Sequence, residues 1–423
     1  MAQNRLSVVI IGGSLTGLMH GIMLHSLGYN IHILEQSPSP SRSDHAAGIT
    51  AQPQVVEYFR RHGFSKDAWS IPCPAVQFLG PKATIKRTIK KPLDMTSWNV
   101  LYNQLKGKLE SLQKENPGEK ARIGAGPTAT WSFGRRAMDV AYDGNNVKVE
   151  YEDLAQGQRG ILNGDLVLVA DGAGSTIRRN LLPATERSYS GYVAWRGTVT
   201  EADVSDQTRK ILDSRLTYFA MKKSYILCYI IPGETGSFEP GKRRLNWVWY
   251  CNHPPDSPEL AEIMTDCDNH RHRNTLPVGK MHTEVWNKQK AHAANVMNEP
   301  FLELINKTSK PFVSTVGDTI PERASFFDGK LLLVGEALAL IRPHLALSTN
   351  QSALHCLQLE KALKGEMTIA QWERKVLQYA ARSQAMTNAF GTWFQYGGLT
   401  FMRNLLKFCW TLIVQALSKI WSI

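Results

Sequence analysis

The sequence predicts an α/β protein with one domain split across the chain, a second domain built on an antiparallel sheet, and a helical C-terminal region. Three observations carry this expectation. Largely apolar stretches at 6–11, 166–170 and 331–334 each run into a glycine-bearing turn, and the last two turns add a carboxylate, Asp171 beside Gly172 and Glu336 beside Gly335. Between the second and third stretches lie β-type runs at 192–199, 216–221, 225–231 and 245–250, rich in aromatic residues and separated by Gly and Pro. Helical patterning then dominates from 348 onward.

The opening unit has a clear physical reading. A buried parallel strand at 6–11 turns at Gly12 and hands over to a helix, whose unpaired N–H groups and dipole accept a pyrophosphate. Ser14 takes the middle position of the G-x-G-x-x-G-type turn, and Gly17 lets the helix pack close to the sheet. Glu35 ends a second apolar run at 31–34, about twenty residues on, where its carboxylate accepts hydrogen bonds from an adenosine ribose. Taken alone, this stretch also fits an ordinary βαβ unit. With the other two stretches it predicts a Rossmann-like FAD-binding domain, discontinuous in sequence.

Composition narrows the class. A chain of 423 residues, 43% hydrophobic and 20% charged, suits an ordinary globular protein of about two or three units. Lys and Arg number 49 against 37 Asp and Glu, a formal charge of +12 that suits steering of anionic dinucleotides. No Lys/Arg-rich run or nucleic-acid motif occurs, so no nucleic-acid partner is expected. The six cysteines lack C-x-x-C spacing, which argues against a zinc site and against a secreted disulfide framework. The N-terminus enters the first strand without a charged-then-apolar leader, and a cytoplasmic location is expected.

The remaining elements follow in order. Ser and Pro at 37–41 form a loop, 54–62 a helix and 76–79 a strand. Leu101, Leu105 and Leu109 place a helix over 98–109, and 136–142 with 147–151 form a hairpin about Asp143 and Gly144. Helical patterning returns at 258–269 and 294–307. The expected domains are 1–75, 135–185 and 320–370 for FAD binding, 76–134 and 186–319 for substrate, and 371–423 for C-terminal helices. In the tail from 401 to 423, Arg403, Lys407, Thr411, Gln415 and Lys419 recur every four positions among apolar residues, giving one narrow polar stripe. No uninterrupted apolar run there can span a bilayer. The tail is expected to pack on the body or on a partner in a homodimer, or to make peripheral membrane contact with Trp410 and Trp421 near the headgroups.

The chain resembles the class A (single-component) FAD aromatic hydroxylases, in particular dihydroxypyridine hydroxylase-like and fungal FAD monooxygenases. The carrying segments are 9–17, Gly48 and Ile49 with Gln52 and Pro53, the Gly-Tyr-Val-Ala-Trp-Arg-Gly run at 191–197, the 245–250 run, and 335–350 with Arg342, Pro343 and His344. The resemblance implies FAD contacts from Gly12, Ser14, Leu15, Gly17, Glu35, Gln36, Gly48, Gln104, Asp171, Glu336, Ser348, Thr349 and Asn350, with NAD(P)H as reductant and no metal. Four positions depart from the family pattern. Glu336 stands where an Asp meets the ribityl chain, Ala339 where a His is frequent, Val169 where a Gly precedes the Asp-Gly pair, and 346–350 reads Ala-Leu-Ser-Thr-Asn where Gly-x-Gly precedes an Asn. Ser348 or Thr349 is expected to N-cap a helix running to about Lys364. The resemblance aims that helix at the flavin N1 and C2 carbonyl, where its dipole stabilises the anionic reduced form; a capped core helix is the plain alternative.

Single residues leave alternatives open. His344, with Arg342, either faces the isoalloxazine ring for proton transfer or sits in a solvated loop. Arg196 either holds an anionic substrate or the pyrophosphate, or ends a strand in an ion pair. Tyr218, Tyr229, Trp249 and Tyr250 either line an aromatic-binding pocket or belong to the core, while His20 and His25 are read as packing residues. The function implied is an FAD-dependent monooxygenase that hydroxylates or epoxidises an aromatic or polycyclic small molecule with NAD(P)H and O₂ through a flavin C4a-hydroperoxide. The alternative, motivated by Glu336, Ala339, Ala346 and Ser348, is a flavin-fold protein acting without redox chemistry as a cyclase, isomerase or metabolite-binding protein. A membrane-associated scaffold, resting on the tail alone, ranks third.

Overall fold

The computed structural model describes residues 5–40, 48–115 and 126–420; Ser41 and Trp421 lie outside them. A six-stranded sheet runs in the order β17 (Ser325–Phe326), β18 (Leu331–Leu333), β10 (Leu166–Val169), β1 (Ser7–Ile11), β2 (Asn30–Glu35), β6 (Ala129–Phe133). All its pairings are parallel except β17 with β18. The three apolar stretches of the sequence are therefore its adjacent central strands, β1, β10 and β18. Apart from Ser7 at the start of β1 they are apolar throughout, because both faces are covered. Helices α1 (Leu15–Ser26), α2 (Pro53–Arg61), α3 (Trp98–Glu115) and α9 (Ser348–Leu363) pack together on one side. The other side carries a small antiparallel sheet of β7 (Arg135–Tyr142), β8 (Val147–Asp153) and β9 (Gln158–Gly164), followed after β10 by α4 (Thr176–Leu181).

The second sheet has nine strands in the order β15 (Thr275–Leu276), β16 (Phe312–Asp318), β11 (Ser188–Thr200), β14 (Arg244–Asn252), β13 (Ser224–Ile231), β12 (Arg215–Met221), β4 (Ile71–Leu79), β5 (Ile85–Ser97), β3 (Gly48–Ala51). It is antiparallel apart from the β12 and β4 pair. Period-two alternation divides its side chains. On β14, Trp247 and Trp249 point to the helical side, Trp247 stacking on Trp286, whereas Val248 and Tyr250 face a cavity. The helical side comprises α5 (Asp206–Leu212), α6 (Pro258–Ile263), α7 (Thr283–Val296) and α8 (Glu299–Lys307).

The structure corrects several boundaries. The segments 98–115 and 126–133 lie with the parallel sheet and not with the substrate side: Leu101, Leu105 and Leu109 of α3 are buried in that core, and β6 pairs with β2. Conversely, β3 and the start of β4 join the antiparallel sheet. The expected helix at 258–269 stops at Ile263. The 294–307 helix is instead the end of α7 and all of α8, broken where the Asn298 side chain caps α8 and Pro300 sits in its first turn. Two long helices close the chain, α10 (Ile369–Gln395), started by a Thr368 and Gln371 capping box, and α11 (Gly398–Ile420), which packs on α10. The expected polar stripe of the tail is not uniformly turned to water: Thr411 is half-buried and Gln415 donates to the Gln378 carbonyl at 2.7 Å.

Candidate active site

Two concavities meet at the loop 171–174. The first is a cleft of about 640 Å³ over the C-terminal ends of β1, β2 and β10, where ligands of open α/β sheets bind. Its floor must be glycine. Gly12 has φ +104°, and a Cβ there would lie 2.4 Å from the Ala170 carbonyl oxygen; Cβ atoms at Gly13 and Gly17 would fall 2.6 Å from Trp131 Nε1 and 1.9 Å from the Gly12 oxygen. Ser14 caps α1 without a side-chain bond, and the first intrahelical bond runs from Leu18 N to Ser14 O. The amides of Leu15, Thr16 and Gly17 thus precede the helical ladder and suit a pyrophosphate. The Leu15 side chain itself is buried in the core.

Glu35 and Gln36 line this cleft. The Glu35 carboxylate accepts Gly13 N–H at 2.7 Å and Ser37 N–H at 2.8 Å, so it braces the glycine turn. Asp171 accepts Thr176 N–H at 3.1 Å through Oδ2, while its Oδ1 is buried without a partner. Burial pushes this carboxyl above its ordinary range. A glycine-lined cradle, open helix amides and an orphaned acceptor fit the adenosine diphosphate half of FAD.

The second concavity, about 580 Å³, lies between this nucleotide site and the aromatic face of the nine-stranded sheet. Glu336, Ser348, Thr349 and Gly48 border it beside Tyr218, Tyr229, Tyr250, Phe78, Trp98 and Phe390. The Gly335 turn is tightly held. It has φ +60°, a Cβ would meet Thr16 Oγ1 at 2.4 Å, its N–H donates to His355 Nδ1 at 3.0 Å, and its oxygen accepts from Gln351 Nε2 at 2.9 Å. Burial holds His355 neutral, with its pKa lowered to about 3, so Nδ1 is free to accept. Arg178 crosses from α4 to donate to the carbonyls of Ala173, Glu336 and Ala337 at 2.6, 3.1 and 2.9 Å. It ties the second sequence stretch to the third. The hydroxyl of Ser348 donates to Glu336 Oε1 at 2.6 Å, which is why α9 begins after Leu347 without the expected Ser348 or Thr349 side-chain cap.

His344 is in no solvated loop. It is buried, its Nε2 lies 2.6 Å from the Tyr192 hydroxyl and its Nδ1 2.6 Å from that of Tyr225. Burial first, then the Arg342 and Arg196 charges, lower its pKa to about 3. Tyr225 in turn stacks on Tyr250, with ring centroids 4.8 Å apart, and burial pushes the Tyr250 phenol up to about 12. Arg342 turns away from the cavity and pairs with Asp318 at 2.6 Å. Arg196 sits in mid-strand on β11 instead of at a strand end, lines the cavity half-buried, and has no ion pair among the described residues. Three cations, Lys91, Arg187 and Arg196, face one carboxylate, Glu336, around this space.

Some expected site residues are placed elsewhere. Gln104 on α3 donates to the Ala68 carbonyl at 3.2 Å and borders neither concavity. Asn350 is buried: its oxygen accepts Gln54 N–H at 2.9 Å in the first turn of α2, and its amide donates to Tyr379 at 2.8 Å. Trp249 faces the helices, its Nε1 bonded to Ser224. His355, Gln351, Tyr192 and Tyr225 were not anticipated. Gln351 and His355 stand four apart on α9, a spacing that places both on the face toward the Gly335 turn.

Comparisons with known proteins agree with this geometry. Residues 189–318 match the FAD binding domain-like family model. The chain is 27% identical over 405 residues, 92% of each chain, to 2,6-dihydroxypyridine 3-monooxygenase of Paenarthrobacter nicotinovorans. The chain is similar to an FAD-dependent aromatic monooxygenase over nearly its whole length. Among solved structures, 2,6-dihydroxypyridine-3-hydroxylase from Arthrobacter nicotinovorans superposes with a TM-score of 0.79 at 24% identity, covering 93% of this chain and 94% of that one. HpxO of Klebsiella pneumoniae, complexed with FAD and uric acid, has the same fold with a TM-score of 0.70 at 16% identity, covering 98% and 94%. The expected resemblance, the mixed α/β fold and FAD as cofactor of an oxidoreductase all hold for this monooxygenase relative. Among the described residues no helix is long and apolar enough to cross a membrane.

Proposed function

We propose that this protein uses NAD(P)H and O₂ to hydroxylate or epoxidise an electron-rich aromatic small molecule, held as an anion in the 580 Å³ cavity. The observation that carries the reading is that cavity, aromatic on one wall and bounded on the other by the Gly335 turn and the start of α9. When bound, FAD supplies hydride acceptance and oxygen activation. Glu35, Asp171 and the amides of 15–17 hold its adenosine diphosphate half, and Glu336, Thr349 and Gly48 border its ring end. Tyr218, Tyr229 and Phe390 stack on the substrate and exclude water. Arg196 attracts its negative charge.

His344 cannot act as a charged acid at neutral pH, because its pKa is lowered to about 3. A neutral imidazole offers one donor and one acceptor, so it bridges Tyr225 and Tyr192 in either of two tautomers. The ring thereby fixes the positions of both hydroxyls at the edge of the cavity. His344 is thus a positioning residue for the aromatic wall that meets the substrate.

The test is an FAD titration followed by NAD(P)H oxidation with a panel of phenolic, pyridinol and polycyclic compounds. Expected are a yellow protein and substrate-stimulated NAD(P)H consumption with an oxygenated product. His344→Gln keeps a donor and an acceptor but not the ring geometry that places the Tyr192 and Tyr225 hydroxyls, and should retain flavin binding while turnover falls about 10²-fold. Arg196→Gln should raise KM for anionic substrates about tenfold or more and leave flavin content unchanged. A protein that takes up no flavin would overturn the reading in favour of a non-redox cyclase, isomerase or metabolite-binding protein.

A further inference from the structure

Helix α11 turns toward solvent the kind of face that a globular helix buries. Leu399, Met402, Leu406, Trp410, Ile413 and Leu417 recur every three or four residues and are 48% to 89% exposed. Trp393, near the end of α10, is also exposed and makes an edge contact with Phe401. The opposite side of α11 is already used, with Phe401, Leu405, Phe408 and Gln415 half-buried. Arg403 and Lys407 stand on the exposed side, and no ion pair to either occurs among the described residues. From 374 to 423 the sequence carries Arg374, Lys375, Arg382, Arg403, Lys407 and Lys419 and no Asp or Glu.

We propose that α11 is a membrane-docking helix that lies in the headgroup region of an anionic bilayer, with the Leu406 and Trp410 stripe toward the acyl chains. The helix does not cross: Arg403, Asn404, Lys407 and Gln415 interrupt it. A second copy of the chain on this face would bring two sets of Arg403 and Lys407 onto one seam, with no carboxylate on either helix to meet them. Anionic lipid supplies that charge, and Trp suits the interface. The same arrangement sets the cations beside the apolar stripe, where both contribute to binding at once.

The test is co-sedimentation of the full-length, FAD-loaded protein with phosphatidylcholine vesicles that contain or lack phosphatidylserine. Expected is pelleting with the phosphatidylserine vesicles, weaker binding to phosphatidylcholine alone, and partial release by salt. Arg403→Glu with Lys407→Glu should weaken binding by about tenfold or more. Leu406→Glu with Trp410→Glu should abolish it, and because these side chains are exposed, flavin content should not change. Equal supernatant fractions with and without vesicles would overturn the proposal. So would concentration-dependent dimerisation in vesicle-free solution that Leu406→Glu abolishes, which would assign the face to a second copy.

Discussion

The contact between Glu336 and Ser348 can be perturbed from both ends, and the structure sets the expected size of the effect. The Ser348 hydroxyl donates to Glu336 Oε1 at 2.6 Å, and both side chains are half-buried. A hydrogen bond to a charged acceptor is worth about 1.5–3 kcal/mol, and partial exposure discounts that to roughly 1–2 kcal/mol. Glu336→Ala and Ser348→Ala should each destabilise the flavin-free protein by about this amount in denaturant unfolding. The double variant should lose little more than either single one, a coupling of about 1 kcal/mol. Glu336→Asp is the sharper probe. The sequence alone favours Asp as a better match for the ribityl chain, but removing one methylene withdraws the carboxylate by about 1.5 Å, beyond reach of Ser348. The Asp variant should therefore unfold like Ser348→Ala and regain nothing when Ser348→Ala is added. Strict additivity of the two alanine variants, or a Glu336→Asp variant as stable as the parent, would refute the coupling. FAD titration of the same set separates the roles: Glu336→Ala should weaken FAD more than Ser348→Ala if the carboxylate also meets the cofactor.

Two further predictions follow from packing and burial. A Cβ at Gly391 of α10 would lie 2.4 Å from His344 Nε2, so Gly391→Ala should lower the unfolding midpoint by the equivalent of about 1–3 kcal/mol and reduce substrate-stimulated turnover; parent-like stability and turnover would show that α10 does not hold His344 in place. His20, His344 and His355 are buried with pKa values lowered to about 4, 3 and 3 from 6.5. Their neutral forms stabilise the fold fully above pH 6.5, and that stability is lost as pH falls through 6.5 toward 4 and 3, because only the unfolded chain takes up the protons. The slope should approach about 1.4 kcal/mol per pH unit for each histidine and flatten by one proton's worth in His344→Gln. Unfolding midpoints that do not move between about pH 7 and 5 would contradict the burial of all three as neutral rings.

The legible parts of the fold are those where one physical rule dominates. Buried parallel strands are apolar at every buried position, so β1, β10 and β18 stand out, and their glycine turns follow from the need to approach phosphate. The aromatic strands of the second sheet were equally visible, whereas the face each residue takes was not. Trp249 and Tyr250 are neighbours in sequence and belong to opposite sides, which alternation fixes only once the buried sides are known. The placement of α3 and β6 beside the parallel sheet is not legible, because β6 is a short segment whose partner β2 lies about a hundred residues earlier. Pairing over that separation leaves no local mark.

The site was legible as positions and opaque as contacts. Gln104 and Asn350 are polar residues at plausible places, yet their side chains serve the Ala68 carbonyl and the first turn of α2. His355 and Gln351 look like ordinary helix residues, yet they hold the Gly335 turn from behind. Departures from a family pattern are the instructive case. Read singly, Glu336 in place of an aspartate and Ser348 in place of a glycine each suggest a weakened cofactor site. In the fold they meet: the longer carboxylate reaches the added hydroxyl, and each substitution supplies the partner that the other needs. A buried or half-buried polar group without a partner costs free energy, so two such changes are tolerated together more readily than either alone. Motif departures should thus be read in spatial pairs before loss of function is inferred from either, and the denaturation cycle at Glu336 and Ser348 measures whether this pair behaves so.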